Sequence, residues 1–385
     1  MNKVRKAFGL IFVLILMGCS APKPEQTPSS QSVDTQILDE TQITSSTTSE
    51  AGEVESTPIP TAIEDERVVL LGIYPTGFIQ YKVEEIIALD DWTFSTGKRT
   101  TFAATFMDLE DPDPGNFLPA EMDAAWENGY VPFVNLAVGY HNPYTAEEIA
   151  EGELDAQIQH WADAFAAWSQ DGKKWALIAP LQEMNGYWTT YAEDPENFKL
   201  AYDRIQRIFA EAGVGPEAVS WVFAPNGWSK EGNEFELYYP GDDVVDVIGF
   251  SSFNFGDCSN WPKWEVYEDI YQPYLDRMYA MAPEKPIFIA EIGTVAEGGD
   301  KNIWLMDTYT KLIDHPGLVG IIYFNRQEFA ASLEKCPNGT DYRIFDNKTS
   351  EGFFGYLEGI SSNEITYYPP DSQALRDLLF TRFGE

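Results

Sequence analysis

Short apolar runs alternate with longer helix-like stretches through most of this 385-residue chain. The runs are rich in β-branched and aromatic residues, and several are apolar on both faces, as strands covered by helices must be. Eight of them are predicted as strands, at residues 68–74, 101–107, 130–138, 175–180, 219–224, 244–250, 286–290 and 319–324. Eight strand–helix units predict an α/β fold, a (β/α)8 TIM barrel, in which chemistry belongs to the loops after the carboxyl ends of the strands.

The amino terminus carries the features of an export signal. Basic residues within positions 3–6 precede an apolar run at 7–17 that is too short for a comfortable membrane span. We therefore predict a signal peptide over residues 1–18. Its end, Leu-Met-Gly-Cys at 16–19, resembles a bacterial lipobox, which implies lipid attachment to Cys19 and a protein tethered to the bacterial cell surface. An ordinary cleaved signal or an uncleaved anchor is the alternative.

Composition divides the remaining chain into two parts. Residues 19–66 are rich in Ser, Thr, Pro and Glu with few aromatic residues, which predicts a disordered linker. Residues 67–385 hold nearly all the aromatic residues and are long enough for one barrel domain. Besides Cys19 the chain has Cys258 and Cys336. An exported chain can join them, but the sequence leaves that pairing open.

Charge and histidine content exclude several classes of partner. The formal net charge is −37, whereas nucleic-acid binding draws its affinity from patches of Lys and Arg. A neutral polymer is compatible with this charge, whose simplest explanation is solubility. The three histidines, His141, His160 and His315, form no Cys/His cluster, so no zinc site is predicted. A monomer is expected.

Asparagine recurs where the predicted strands end, and aromatic side chains crowd the same positions. The asparagines are Asn135, Asn185, Asn226, Asn254 and Asn325. The aromatic residues are Tyr74, Tyr140, Tyr187, Trp188, Tyr191, Trp228, Phe253, Phe255, Trp261 and Trp264. Amides pair well with sugar hydroxyls, and aromatic rings accept the apolar C–H faces of sugars, so the two sets predict a polysaccharide groove. Turn chemistry and loop packing are the alternatives.

Two glutamates close runs that are predicted as buried strands. Glu183 lies in Leu-Gln-Glu-Met-Asn-Gly at 181–186, and Glu291 lies in Ile-Ala-Glu-Ile-Gly-Thr at 289–294. A glycosidase that retains configuration needs an acid and a nucleophile whose carboxyl groups are about 5 Å apart. Strand ends on a rigid scaffold hold two side chains in that way. The pair predicts a glycoside-cleaving enzyme.

The surroundings of these glutamates resemble glycoside hydrolase family 26, in the clan of retaining glycosidases built on (β/α)8 barrels. The motifs that carry the resemblance lie at residues 182–188, 221–226, 239–243, 245–249, 291–293, 298–301, 304 and 341–344. The resemblance implies that Glu183 is the general acid/base after strand 4, Glu291 the nucleophile after strand 7, and Trp188 a neighbour of the cleaved bond. It implies no cofactor. Endo-β-1,4-mannanase is the family's commonest activity, with mixed-linkage β-glucanase and β-xylanase in the minority, so β-1,4-mannan is the expected substrate.

Candidate substrate-binding residues surround the two glutamates. They are Gln182, Asn185, Trp188, Asn226, Trp228, Phe253, Asn254, Tyr74 and Tyr323. Three positions depart from the family pattern: Gln182 replaces a His, Ala179 an Arg, and Phe253 a Tyr that hydrogen-bonds the nucleophile. Neither Ala179 nor Phe253 can replace the lost hydrogen bonds. The alternatives to the endo-enzyme are therefore a surface glycan-binding lipoprotein with impaired catalysis, and another retaining hydrolase of the same clan.

Overall fold

The computed structural model describes residues 67–138, 144–259, 264–328 and 335–380. The predicted signal peptide, the predicted lipidation site Cys19 and the predicted linker lie outside these ranges, as do Tyr140 and Trp261 of the predicted groove. None of the helices within the described ranges combines the length and apolar character needed to cross a membrane.

Eight parallel strands close into a barrel in chain order, and β8 pairs with β1 to complete it. The strands are β1 (Leu70–Tyr74), β2 (Phe102–Asp108), β3 (Val131–Ala137), β4 (Ala176–Pro180), β5 (Val219–Phe223), β6 (Val247–Asn254), β7 (Ile287–Thr294) and β8 (Leu318–Phe324). This confirms the (β/α)8 barrel and all eight predicted strands. The bounds differ most at β6 and β7, which continue to residues 254 and 294 where the predicted runs stop at 250 and 290.

Helices surround the strands. They are α1 (Ile79–Thr93), α2 (Pro114–Trp126), α3 (Ala146–Glu151), α4 (Asp155–Ser169), α5 (Pro195–Glu211), α6 (Tyr267–Ile270), α7 (Gln272–Met281), α8 (Lys301–Ile313), α9 (Phe354–Gly359) and α10 (Gln373–Phe380). Local signals explain where they begin. In α5, for example, Pro195 occupies the first turn and the Asp194 carboxylate accepts the backbone N–H of Asn197 at 3.3 Å.

Four two-residue strands follow the barrel. They are β9 (Gln327–Glu328), β10 (Thr340–Asp341), β11 (Phe345–Asp346) and β12 (Glu351–Gly352). β9 pairs with β10, and β11 pairs with β12, in both cases antiparallel. These pairs order the chain just beyond the carboxyl end of β8.

Two apolar layers stabilise the barrel, one inside it and one between its strands and helices. The interior layer includes Leu70, Phe102, Phe133, Leu177 and Phe288. Leu375 of α10 joins that layer, and the indole N–H of Trp175, just before β4, donates to the carbonyl of Pro370 at 2.9 Å. The α10 segment therefore packs at the amino ends of the strands. The carboxyl ends of the strands lie at the opposite end of the barrel, where barrels of this kind carry their active sites.

A register shift in β7 turns one of the two glutamates into the barrel. Ile289 and Glu291 pair with consecutive residues of β6, so Ala290 is an extra residue between them. Ile289 and Ile292 belong to the outer layer, and Ala290 belongs to the interior. Strict alternation would send Glu291 outward with Ile289, and the bulge re-aims it inward. Glu291 thus lies within β7, whereas the sequence analysis placed it at the strand's end.

A disulfide joins Cys258, in the loop after β6, to Cys336, in the segment after β8. Their Cα atoms are 5.4 Å apart, and Lys335 and Asp257 form an ion pair at 2.7 Å beside the bridge. The pairing that the sequence left open is therefore made. Glu297 and the two cysteines are spaced like metal ligands, but oxidised sulfur atoms do not supply the thiolates that bind a metal.

Candidate active site

The loop after β4 presents Glu183. Its backbone N–H donates to the carbonyl of Ala224 at 2.7 Å, and its φ of 57° is left-handed, which costs a non-glycine residue about 1–3 kcal/mol. Its carboxylate accepts the indole N–H of Trp188 and the side-chain amide of Asn226, both at 2.8 Å. The Ser251 side chain is a further hydrogen-bond partner. Donors from the loops after β4 and β5 thus fix both oxygens of this carboxyl group, and Ser251 of β6 adds a third contact.

Glu291 is held from the opposite side of the barrel. It is 6% exposed, and its Oε1 accepts Nδ2 of Asn135 at 2.9 Å. The same Nδ2 donates to the hydroxyl oxygen of Tyr74 at 2.8 Å, so side chains of β1, β3 and β7 meet at one amide. Asn135 was predicted as a groove residue, and its contact with Glu291 was not predicted. The available signal was a polar amide in a strand that is buried along its whole length.

Both glutamates have pKa values above the usual range for a glutamate. Burial is the main cause for each, and the negative charge of Glu183 raises the pKa of Glu291 further. The charge of Arg326 and the hydrogen bond from the Asn135 amide partly lower the pKa of Glu291. In the same way, the hydrogen-bond donors around Glu183 partly lower its pKa. Because two neighbouring buried carboxylates repel, one of them retains its proton at pH values where an exposed glutamate is ionised. One neutral and one ionised carboxyl group suit acid catalysis combined with nucleophilic attack.

The guanidinium of Arg326, just after β8, supplies a fixed positive charge near Glu291. It donates to the carbonyls of Pro75 at 2.7 Å and Gly77 at 3.1 Å. Its central carbon lies 5.2–5.9 Å from the ring centres of Tyr74, Phe106 and Phe324. Arginine stays protonated in such surroundings, and its charge lowers the pKa of Glu291. Arg326 is not predictable as a site residue, because nothing in the sequence distinguishes it from a surface arginine.

Two asparagines predicted to bind substrate organise the loop after β5. Asn185 Nδ2 donates to the carbonyls of Asn226 at 2.8 Å and Trp228 at 3.1 Å, and to Ser229 Oγ at 2.7 Å. The backbone N–H of Asn226 donates to Asn185 Oδ1 at 2.8 Å. The backbone N–H of Trp228 donates to Asn226 Oδ1 at 2.9 Å. Asn226 therefore contacts both the Glu183 carboxylate and the backbone of Trp228.

Three aromatic side chains, Tyr187, Trp188 and Trp228, form a surface beside Glu183 that we call the aromatic platform. The ring centres of Trp188 and Trp228 are 6.4 Å apart and their planes differ by 25°. Tyr187 meets them edge-on, at 5.1 and 6.0 Å. A Cβ atom at Gly186 would lie 2.4 Å from the Trp188 ring, so this position must lack a side chain for the indole to pack there.

The family model of glycosyl hydrolase family 26 matches residues 139–304. That stretch contains both glutamates, strands β4 to β7 and the whole aromatic platform. Part of the chain, including both glutamates, therefore resembles glycosyl hydrolase family 26. The resemblance inferred from the motifs is thus confirmed.

Several characterised proteins are similar to parts of this chain. Endoglucanase H of Acetivibrio thermocellus is 26% identical over 268 residues, which cover 65% of this chain and 27% of that protein. A β-1,3-xylanase of Alcaligenes sp is 25% identical over 158 residues, which cover 40% of this chain and 30% of that protein. The match therefore spans less than a third of either relative. The catalytic domain of the Bacillus sp. JAMB-750 family 26 endo-β-1,4-mannanase shares the fold, with a TM-score of 0.55, 15% identity and coverage of 78% of this chain and 88% of that chain.

Two of the positions that depart from the family 26 pattern lie on or just after β4. Ala179 is fully buried in the interior layer. The carbonyl of Gln182 accepts the hydroxyl of Tyr191 at 2.8 Å. The side-chain oxygen of Gln182 is buried and has no hydrogen-bond partner among the described residues.

The third departure, Phe253, is part of an apolar wall. Its ring centre lies 5.1 Å from that of Tyr342 and 5.4 Å from that of Phe324. Phe253 has no group to donate to Glu291, and the donor comes instead from Asn135. The hydrogen bond that the family pattern assigns to a tyrosine of β6 is thus made from β3.

Asn254 and Tyr323 use their polar groups within the protein. Asn254 Nδ2 donates to Thr294 Oγ1 at 2.9 Å, and its Oδ1 accepts two backbone N–H groups. Tyr323 lies in the outer layer and donates its hydroxyl to the carbonyl of Tyr342 at 2.8 Å. The structure therefore shows both predicted substrate-binding residues hydrogen-bonded to other parts of the protein.

Proposed function

We propose that this chain is a retaining, endo-acting glycoside hydrolase that cleaves a β-linked plant-type polysaccharide. The observation that carries the proposal is the pair Glu183 and Glu291, each held by its own donors and close enough for one charge to raise the pKa of the other. Burying a carboxyl group costs free energy, and burying two that repel costs more. A protein that only binds glycans has no need of such a pair.

In the first step, Glu183 gives its proton to the leaving glycosidic oxygen while an ionised Glu291 attacks the anomeric carbon. The bond from that carbon to the leaving oxygen breaks, and an ester bond to Glu291 forms. Asn135 and Arg326 assist because both favour the ionised form of Glu291.

In the second step, water attacks the anomeric carbon and gives its proton to Glu183. The ester bond breaks, and Glu291 leaves as a carboxylate. While Glu291 is esterified it carries no charge, so it no longer opposes ionisation of Glu183. The same residue can therefore act first as an acid and then as a base.

Two buried oxygens support a substrate rich in hydroxyl groups. Asn135 Oδ1 and Gln182 Oε1 are buried and lack hydrogen-bond partners within the described part of the chain. An unsatisfied buried acceptor costs about 1–3 kcal/mol. Because both atoms are closed to solvent, a sugar hydroxyl reaches either one only if its side chain moves on binding, and such a hydrogen bond then removes that cost.

The substrate proposed first is β-1,4-mannan, which the motifs implied. A mixed-linkage β-glucan or a β-xylan is the second candidate, supported by the names of the two relatives, an endoglucanase and a β-1,3-xylanase. We also propose that a lipid on Cys19 tethers a monomeric enzyme to the bacterial cell surface, on the basis of the lipobox-like sequence at 16–19.

Reducing-sugar release by the full chain tests the proposal. The polymers are β-1,4-mannan, glucomannan, mixed-linkage β-glucan, β-1,4-xylan and β-1,3-xylan. We expect hydrolysis of one class, and an NMR time course should show products that keep the β configuration. Glu183→Gln and Glu291→Ala should abolish hydrolysis, while Glu211→Gln, on the exposed face of α5, should not. A folded protein that cleaves none of these polymers but is retarded in glycan affinity gels would instead be a glycan-binding protein.

A further inference from the structure

The first turn of α1 is capped by a side chain from another helix. Phe78, at the N-cap position, makes no side-chain cap and is 40% exposed. The backbone N–H groups of Ile79 and Gln80 donate instead to the two carboxylate oxygens of Glu121 in α2, at 2.6 and 3.1 Å. A helix usually takes its cap from the residue that precedes it, most often Ser, Thr, Asp or Asn. The cap of α1 comes from 42 positions away in the chain.

Glu121 is a costly cap because it is fully buried. Its exposed fraction is 0%, and its Oε1 also accepts the hydroxyl of Thr105 in β2 at 2.6 Å. Burial raises the pKa of Glu121, and its three hydrogen-bond donors and the charge of Arg326 partly lower it. A serine or threonine at position 78 would cap the helix without burying a carboxyl group. The use of a buried glutamate indicates that its other contacts matter.

The segment that Glu121 fixes is one that holds Arg326. The carbonyls of Pro75 and Gly77, within the four residues between β1 and α1, accept the Arg326 guanidinium at 2.7 and 3.1 Å. Phe106 of β2 follows the threonine that donates to Glu121, and its ring centre lies 5.2 Å from the central carbon of the guanidinium. Glu121 therefore joins two of the elements that contact Arg326.

The charges around Arg326 connect Glu121 to the nucleophile. Burial lowers the pKa of Arg326, and the charges of Glu328, Glu291 and Glu121 raise it. The charges that act most on the pKa of Glu291 are those of Glu183, Arg326 and Glu328. A change at Glu121 therefore reaches Glu291 through Arg326.

We propose that Glu121 is a positioning residue for the nucleophile. It fixes the segment after β1, the carbonyls of that segment hold the Arg326 guanidinium, and the guanidinium keeps a positive charge near Glu291. Because the ionised form of Glu291 performs the attack, displacement of Arg326 slows the first step. This inference rests on the proposed hydrolase function, since it needs Glu291 to be the nucleophile.

Glu121→Gln in the full chain tests the inference. Glutamine keeps the length of the side chain but replaces one acceptor oxygen by an NH2 donor, so at least one contact of Glu121 is lost. We expect kcat/KM at the wild-type optimum to fall about fivefold on the polymer that the wild type hydrolyses best. The acidic limb of the kcat/KM profile should move to higher pH, because the ionised form of Glu291 loses support.

The direction of that movement separates two roles for Glu121. If Glu121 acted only by its charge, its removal would leave the charge of Arg326 less balanced, and the acidic limb would move to lower pH. Movement to lower pH, or an unmoved limb, overturns the inference. Thr105→Val removes one donor to Glu121 and should move the limb to higher pH by a smaller amount. That variant decides the matter if Glu121→Gln does not fold.

A double variant shows whether the effect passes through Arg326. When Arg326 is already replaced by Met, Glu121→Gln should change kcat/KM by less than about twofold. A further fivefold loss in that background overturns the inference.

Asp194→Ala is the matched control. It removes the carboxylate that caps α5, which takes no part in the Arg326 contacts described above, and should leave the acidic limb in place. Urea unfolding at the assay pH checks that each variant is folded. A wild type that cleaves no polymer refutes the hydrolase proposal itself, whereas an active wild type with an unmoved limb in Glu121→Gln refutes only the role of Glu121.

Discussion

Replacing Asn135 by Ala should impair the nucleophile without removing it. The substitution deletes the 2.9 Å hydrogen bond to Glu291 and the 2.8 Å hydrogen bond to Tyr74. A hydrogen bond to a charged group contributes about 1.5–3 kcal/mol. If that stabilisation is lost from the ionised nucleophile, the rate falls by about 10- to 150-fold, because about 1.4 kcal/mol corresponds to one factor of ten. The assay is kcat on the polymer that the wild type hydrolyses best.

The pH dependence of the same variant separates this explanation from a general loss of structure. The Asn135 amide lowers the pKa of Glu291, so its removal raises that pKa. The acidic limb of the kcat/KM profile, where the nucleophile becomes ionised, should therefore move to higher pH. Asn116→Ala removes an exposed asparagine bonded only to Asp113 and serves as the matched control. An Asn135→Ala enzyme with a normal rate and an unmoved acidic limb would refute the reasoning.

Three other perturbations follow from the same contacts. Trp188→Phe removes a hydrogen-bond donor that lowers the pKa of Glu183, so that pKa should rise. The basic limb of the kcat/KM profile should then move to higher pH, and an unmoved basic limb contradicts this prediction. Arg326→Met removes the positive charge that lowers the pKa of Glu291. The acidic limb of the kcat/KM profile should move to higher pH, and kcat/KM at the wild-type optimum should fall at least tenfold. An unchanged profile contradicts this prediction. Cys258→Ser opens a bridge between residues 78 apart in sequence, so urea unfolding should show a loss of about 2–4 kcal/mol, and a reducing agent should destabilise the wild type but not the variant.

The barrel was predictable because a local stretch of sequence is enough to indicate each of its strands. Strands covered on both faces appear as continuous apolar runs, and this pattern does not depend on which distant residue pairs with which. The bounds of β6 and β7 were less predictable. Their last residues, such as Asn254 and Thr294, are polar or small, and their pairing with each other is what makes them strand. Nothing in either segment alone indicates that pairing.

The site was predictable in its carboxyl groups and less so in what surrounds them. Glu183 and Glu291 stand out because they follow apolar runs. The partner of Glu291 does not, because Asn135 is 156 positions away in the chain and only closure of the barrel brings it near. Asn254 shows a second limit of the sequence. This polar residue at a strand end was predicted to bind substrate, but its side-chain N–H donates to Thr294 of β7 and its side-chain oxygen accepts a backbone N–H of the segment after β6.

The β7 bulge shows that the position of Glu291 in the sequence does not by itself determine which way its side chain points. Side chains alternate in a regular strand, so Ile289 and Glu291 would point the same way, and Ile289 packs outside the barrel. The extra Ala290 reverses the alternation and brings Glu291 to Asn135. Once there, the carboxyl group needs a donor and a positive charge to be ionised in a buried place. Asn135 and Arg326 supply them from β3 and from the end of β8, so the apolar Phe253 does not leave Glu291 without support.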